Sequence, residues 1–362
     1  MTIDDLILVL ANINAKELLF LVESVGSAKG VVSLSEIELR DLGLGAPSIE
    51  RLKSSDTYSK AEQEMSFIEK YNIRTLVFGT PEYPKLLGEC CDAPYILFVK
   101  GDLDFNDSDK WISIVGTRKY SSYGLSMTGG LVKEFASKYA DGVVVSGLAN
   151  GIDTIAHKAA LENNLKTVAV LAHGFKTIYP IDNRTLAAKI IAEGGALVTE
   201  YTSDKMPLPH CFLQRNRIVA GLCGATLIIE SPMKGGSMNT AATANSYSRE
   251  VFALPGRAND DGSQGTNNLI KSTRASMVTS FSDVEAVMGW ESIKKKSELD
   301  LFDVPLQGYE REIYKMLAGG EKSIDEMTEK MGINASDFSS IIGKMEIMGF
   351  VKAIRGRMYI RI

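Results

Sequence analysis

Several short stretches of this chain carry groups that could hold an anion. They are Gly116-Thr117-Arg118-Lys119, the loop from Gly147 through Ala149 to Gly151, Arg184, the segment Phe212 to Arg217, and the turn Gly235-Gly236-Ser237. A guanidinium fork matches phosphate oxygens with paired donors, and a glycine lets a main-chain amide come close to a ligand. Phe212 stands three residues before Arg215, with Asn216 and Arg217 following. An aromatic ring beside cations is how an unpaired base is held, at about 1–3 kcal/mol per stack. These residue types suit a single phosphodiester strand better than a compact ligand.

Competing chemistries lack their parts. A dinucleotide site needs Gly-x-Gly-x-x-Gly after the first strand and an acid ending the second, but this chain has Gly116-Thr117-Arg118-Lys119 and Ser146-Gly147. No Gly-x-x-x-x-Gly-Lys-Ser/Thr occurs, so an ATP-driven motor is not expected. Cys90, Cys91, Cys211 and Cys223 have none of the paired spacings of a zinc site and read as reduced thiols, so no metal is expected. Glu200 and Glu230 end predicted strands and invite a paired-carboxylate reading. No nucleophile or ligand set accompanies them, and they read as structural. Asp153 reads as the N-cap of its helix and His157 as a group packed beneath the glycine loop. His173 and Tyr179 read as surface groups near the crevice.

The elements that must position these groups alternate. Strands are predicted near 112–115, 143–146, 167–172, 196–200, 225–230, 250–254 and 276–279. Helices are predicted near 122–139, 153–163, 183–193, 215–222, 237–248 and 266–272, which leaves Phe212 in a Pro-rich loop. Short Val/Ile-rich runs without polar alternation are strands covered on both faces, and alternation with helices makes a doubly wound parallel α/β sheet. The glycine turns fall at the strand ends, where such sheets bind ligands and helix N-termini offer free N–H groups.

Flanking this core, residues 1 to about 60 read as short helices at Ile3–Leu10, Ala15–Val25, Leu34–Leu42 and Ala46–Lys53. Gly26, Gly30, Gly43 and Gly45 stand where helix C-termini would close. Residues 75–78 and 95–99 read as strands of an extension before the main sheet. Beyond a charged stretch with Lys294-Lys295-Lys296 come three helices and a hairpin turning at Arg355-Gly356-Arg357, a winged-helix pattern. Ser323 and Glu326 form a candidate capping box. The domain reading is 1–65 helical, 66–290 core, 291–306 linker and 307–362 winged helix.

At 362 residues, two or three domains are expected from about 100–200 residues each. Hydrophobic content of 45% with 23% charged residues fits a globular protein, and a net charge of −5 leaves room only for a local basic groove. No apolar run nears the ~20 residues of a membrane span, and the acidic opening lacks a secretory pattern, so a cytoplasmic location is expected.

Ordered motifs point to a family. Val115-Gly116-Thr117-Arg118 with Tyr123-Gly124, Ser146 to Asp153 with Ala156-His157, Tyr179-Pro180 with Asn183, Arg215 to Leu222, Gly236 to Ala241, Val251 to Gly256 and Gly265 to Ile270 closely resemble the DNA-processing protein DprA (Smf) family. The resemblance runs strongly from about Ile73 to Val278, and the flanking modules agree with it. It implies a non-catalytic recombination mediator with an extended Rossmann-like core. Such a protein binds and protects incoming single-stranded DNA, pairs as a homodimer through that core, and helps load RecA recombinase during natural transformation. No cofactor, metal or membrane is implied. The implied DNA-binding residues are Gly116, Thr117, Arg118, Lys119, Gly147, Ala149, Gly151, Phe212, Arg215, Asn216, Arg217, Gly236 and Ser237. The alternative is a Rossmann enzyme such as a nucleoside monophosphate phosphoribohydrolase. Its Pro-Gly-Gly-x-Gly-Thr-x-x-Glu turn would align with Lys234 to Ala242, where the glutamate is missing.

Overall fold

Trp111-Ile-Ser-Ile-Val115 is buried at every position, and its side chains divide between the two faces of a sheet. Trp111 and Val115 pack into one core layer, Ile112 and Ile114 into the other. That two-sided burial explains the absence of polar alternation. Ser113, the one polar residue, donates to Thr226 Oγ1 on the neighbouring strand at 2.8 Å. A computed structural model describes residues 1–290, 306, 308–354 and 358–361. It divides the chain into two compact units near residue 291.

In the first unit a nine-stranded sheet is built from β1 (Arg74–Val77), β2 (Ile96–Lys100), β3 (Trp111–Val115), β4 (Val143–Ser146), β5 (Lys166–Val170), β6 (Ala196–Thr199), β7 (Ala225–Ile228), β8 (Glu250–Ala253) and β9 (Ser276–Met277). The spatial order is β1-β2-β6-β5-β4-β3-β7-β8-β9. Strands β3 to β9 pair in parallel, whereas β1 and β2 add antiparallel to the edge at β6. The chain winds outward from β3 to β6, then returns to place β7 on the other side of β3. That reversal opens a crevice at the carboxyl ends of β3 and β7.

Helices cover both faces. Ser122–Lys138 and Ile152–Glu162 lie on the layer that contains Phe135, Ile155 and Phe281; Pro209–Gly221 and Gly236–Ser246 lie on the layer that contains Ile218, Val219 and Ala241. The helix expected at 215–222 begins six residues earlier, so Phe212 sits in its first turn and not in a loop. Pro209 occupies a first-turn position, where its missing N–H costs nothing and its fixed φ is already helical.

Six helices precede the sheet: Ile3–Leu10, Ala15–Val25, Ala28–Ser33, Glu36–Asp41, Ala46–Lys53 and Ser55–Lys70. Gly26 and Gly43 do adopt left-handed φ values of 89° and 90° after helices. Gly30 instead lies inside Ala28–Ser33, and Gly45 is the N-cap of Ala46–Lys53. Ser55–Lys70 escapes a periodicity reading because its sequence is largely polar, and it runs across the division expected at residue 65. These helices pack on Ile96 and Phe98 of β2 and belong to the same unit as the sheet. Tyr95 Oη donates to Asp5 Oδ1 at 2.6 Å, and Ser203 N to Glu64 Oε1 at 2.9 Å, which ties them to it.

The second unit has helices Tyr309–Met316, Ile324–Met331 and Ala335–Ile347 with strands β10 (Lys322–Ser323), β11 (Val351–Ile354) and β12 (Met358–Arg361), ordered β10-β12-β11. Ser323 and Glu326 form the expected capping box. Phe338, Ile342 and Met345 of the third helix pack with Ile313, Met327 and Phe350. The lysine run 294–296 and the turn 355–357 lie outside the described residues. Among the described residues no helix is long and apolar enough to cross a membrane.

Candidate nucleic-acid interface

Three turns meet at the carboxyl edge of the sheet: those that follow β3, β4 and β7. After β3, Gly116 passes so close to Ile152 that a Cβ would lie 2.7 Å from Ile152 Cγ1, which excludes any larger residue without movement. Thr117 N donates to the Glu230 carbonyl at 2.7 Å and Ile152 N to the Thr117 carbonyl at 3.2 Å, which ties this turn to its neighbours on both sides. Gly151 has φ 94°, and a Cβ there would stand 2.3 Å from Thr117 O and 2.6 Å from Arg118 Cα. The first turn and the Gly147–Gly151 loop therefore rest directly against each other.

The loop is braced from below. Asp153 Oδ2 accepts from Gly147 N at 3.2 Å and Ala149 N at 3.4 Å, while Asn183 Nδ2 donates to Leu148 O at 2.8 Å. Asp153 was expected to cap its helix, but Gly151 is the N-cap and the carboxylate reaches back to the loop amides. Burial pushes the Asp153 carboxyl up, opposed by Arg215 and by those two amides. His157 is wholly buried, with Nδ1 2.7 Å from Thr167 Oγ1; burial and then Arg215 drive its pKa down to about 3. His173, expected at the surface, is buried as well, with Nδ1 2.9 Å from Gly174 O and Nε2 accepting from Tyr179 N at 3.2 Å.

The glutamates have structural employment. Glu230 accepts from Ser121 N at 2.9 Å and from Ser121 Oγ, at the N-terminus of Ser122–Lys138. A carboxylate of the protein thus occupies the helix end that would face a pyrophosphate in a dinucleotide site. Glu200 is ion-paired with Arg217.

Above this frame lies a small group of accessible residues. Arg118 is exposed, with Cζ 5.9 Å from the centre of the Phe212 ring. Phe212 is half-buried and meets the Tyr179 ring edge-on at 5.6 Å and 62°. Asn216 Nδ2 donates to Gly236 O at 3.4 Å and Ser237 Oγ to Ser231 Oγ at 2.8 Å, which brings the Gly235–Ser237 turn to the same edge. Among the described residues no acceptor takes the amide of Asn150 or Gly236.

A sequence profile described as DNA recombination-mediator protein A matches residues 74–289, more than half of the chain. This chain belongs to the DNA recombination-mediator protein A family. Protein Smf of Escherichia coli is 32% identical over 334 residues, covering 91% of this chain and 88% of that protein. The X-ray structure of DNA processing protein A (DprA) from Streptococcus pneumoniae superposes with a TM-score of 0.69 at 32% identity, over 79% of this chain and 98% of that one. DNA processing protein A from Helicobacter pylori, studied structurally for its single-stranded DNA binding mode, superposes with a TM-score of 0.54 at 31% identity, over 60% of this chain and 96% of that one.

Against the set expected from the DNA recombination-mediator family resemblance, the structure sorts the residues by position. Gly116, Thr117, Arg118, Gly147, Ala149, Gly151, Phe212, Asn216, Gly236 and Ser237 converge on one edge, and Lys119 is exposed beside Arg118. Arg215 does not reach solvent: it is 4% exposed and donates through Nη1 to Gly147 O at 2.6 Å and to Val170 O. Arg217 turns to the opposite flank of its helix, toward Asp92 O and Glu200. The i, i+2 spacing of the two arginines put one under the loop and one away from it. Arg184 stands in another hollow, with Phe67, Tyr71 and Ile191. Tyr120 and Lys158 line a hollow of about 430 Å³ with Arg118, Asn150 and Gly151. No motif signalled those two; they arrive through the packing of Ser122–Lys138 against Ile152–Glu162.

Proposed function

We propose that this protein is a non-catalytic recombination mediator that holds single-stranded DNA at the carboxyl edge of its parallel sheet. The observation that carries the reading is the grouping of an exposed guanidinium, two aromatic rings and open main-chain amides at Arg118, Tyr179, Phe212, Asn150 and Gly236. Cations and amides take phosphates without regard to sequence, and rings take any base face. The single-stranded DNA binding mode studied in the Helicobacter pylori relative supports it. A non-catalytic role is supported by Glu230 and Asp153, whose carboxylates are engaged by main-chain amides and a serine hydroxyl and do not face an open cleft.

On the same reading the bound strand is protected and passed to RecA recombinase during natural transformation, by a cytoplasmic homodimer that pairs through the sheet unit. The decisive experiment compares binding of unpaired and duplex oligonucleotides by the full chain across a salt series. Clear preference for the unpaired strand, weakening as salt rises, is expected. Equal affinity for both would overturn the reading, as would base release from nucleoside monophosphates that is lost on Glu230→Gln. Faster RecA filament formation on the strand when this protein is present tests the mediator step.

A further inference from the structure

The helix Pro209–Gly221 has two working flanks. Phe212 and Asn216 face the crevice, while His210, Gln214 and Arg217 line a separate groove of about 920 Å³ on the other side. The far wall of that groove is the turn between helices Ile3–Leu10 and Ala15–Val25, with Asn12 and Asn14, and the start of the second helix, with Lys16. It also holds two carboxylates: Glu200, which pairs with Arg217, and Asp92, which accepts a hydrogen bond from Tyr247 Oη. Lys16 and Lys205 have no ion-pair partner among the described residues, and Lys205 lies 5.7 Å from the centre of the Tyr201 ring. The path between crevice and groove crosses the start of the helix, where Met206 and Leu208 are 60% and 42% exposed.

We propose that this groove is a second track for the strand, which passes from Phe212 over the first turn of Pro209–Gly221 and lays further phosphates against Lys205 and Lys16. The inference rests on the proposed reading of the crevice and assigns DNA contact to the N-terminal helices. Three observations support a polyanion over a peptide: the lining sets the cations Lys16, Lys205 and Arg217 against the two carboxylates Glu200 and Asp92, the aromatic Tyr201 lies beside a lysine, and the groove flanks the same helix that carries Phe212. Bases crossing the exposed Met206 and Leu208 side chains would cover apolar surface.

The test uses the full chain, oligonucleotides of about 6 and about 20 nucleotides, and the variants Lys16→Glu/Lys205→Glu and Lys16→Gln/Lys205→Gln. Wild type is expected to bind the long strand with the steeper dependence of log K on log salt. Both variants should lower that slope by about 1.4, two phosphate contacts at about 0.7 each, and leave the short strand unchanged. Long-strand binding equal to wild type in both variants would overturn the second track while leaving the crevice intact, and is the outcome if the groove takes a peptide. Equal loss on short and long strands would overturn it too, since the lysines would then act on the crevice. Failure of wild type to bind either strand would remove the crevice reading itself.

Discussion

The guanidinium of Arg215 lies directly beneath Gly147, with its Nη1 2.6 Å from the Gly147 carbonyl and so little room above that a Cβ on Gly147 would lie 2.4 Å from Nη2. Asp153 holds the amide of that same glycine. Arg215→Met should therefore destabilise the fold by about 1–3 kcal/mol, because it leaves the buried Gly147 and Val170 carbonyls without their donor. Urea unfolding checks this. A surface arginine would change stability by no more than about 0.5 kcal/mol.

Arg118 is the opposite case, exposed and beside the Phe212 ring. Arg118→Ala should leave the unfolding midpoint unchanged and reduce the salt slope of single-strand binding by about 0.7, one phosphate contact. Titrations at several salt concentrations read both slope and affinity; an unaltered slope would remove Arg118 from the interface.

Phe212→Ala should weaken single-strand binding by about 1–3 kcal/mol at constant salt slope, because stacking is lost and charge is not. The ring is only half-buried, so the fold should survive its loss. Loss of cooperative unfolding would show instead that the ring serves the core.

Two glycines at the edge separate fold from contact. Gly151→Ala places a Cβ against main-chain atoms of Thr117 and Arg118 at positive φ and should cost about 1–3 kcal/mol of stability. Gly236→Ala meets nothing within 4 Å, so stability should hold. Any loss of strand affinity in that variant would report close approach to the Gly236 amide.

His157 makes stability pH-dependent with a defined sign. In the unfolded chain it takes up a proton near pH 6.5, whereas the buried ring resists protonation until about pH 3. Its contribution is complete above pH 6.5 and is lost as pH falls, by about 1.4 kcal/mol per pH unit through that window. Denaturant unfolding at stepped pH should show this slope in wild type and a shallower one in His157→Asn.

Much of this architecture was legible because fully buried strands write themselves as uninterrupted Val/Ile runs and the edge turns need glycine for contact reasons. Gly116 and Gly151 are examples of packing too close for a side chain. What escaped the sequence was side-chain direction. Arg215 and Arg217 look equivalent on paper, yet helical rotation buries one beneath a loop and turns the other toward Glu200. Likewise Asp153 is suited to capping by type, but the left-handed Leu148 turn and Gly151 bring the loop amides within its reach. Ser55–Lys70 was missed because a helix packed along a narrow stripe needs few apolar residues.

The carboxylates of Glu230 and Asp153 act as built-in stand-ins for phosphate at two of the turns. With those positions already filled, the edge offers an incoming anion several modest footholds and no deep anchor. A free mononucleotide can use only one or two of them, whereas a chain of linked nucleotides engages them together at high effective concentration. On the proposed reading, discrimination between polymer and monomer follows from how the footholds are spread out, without any gate.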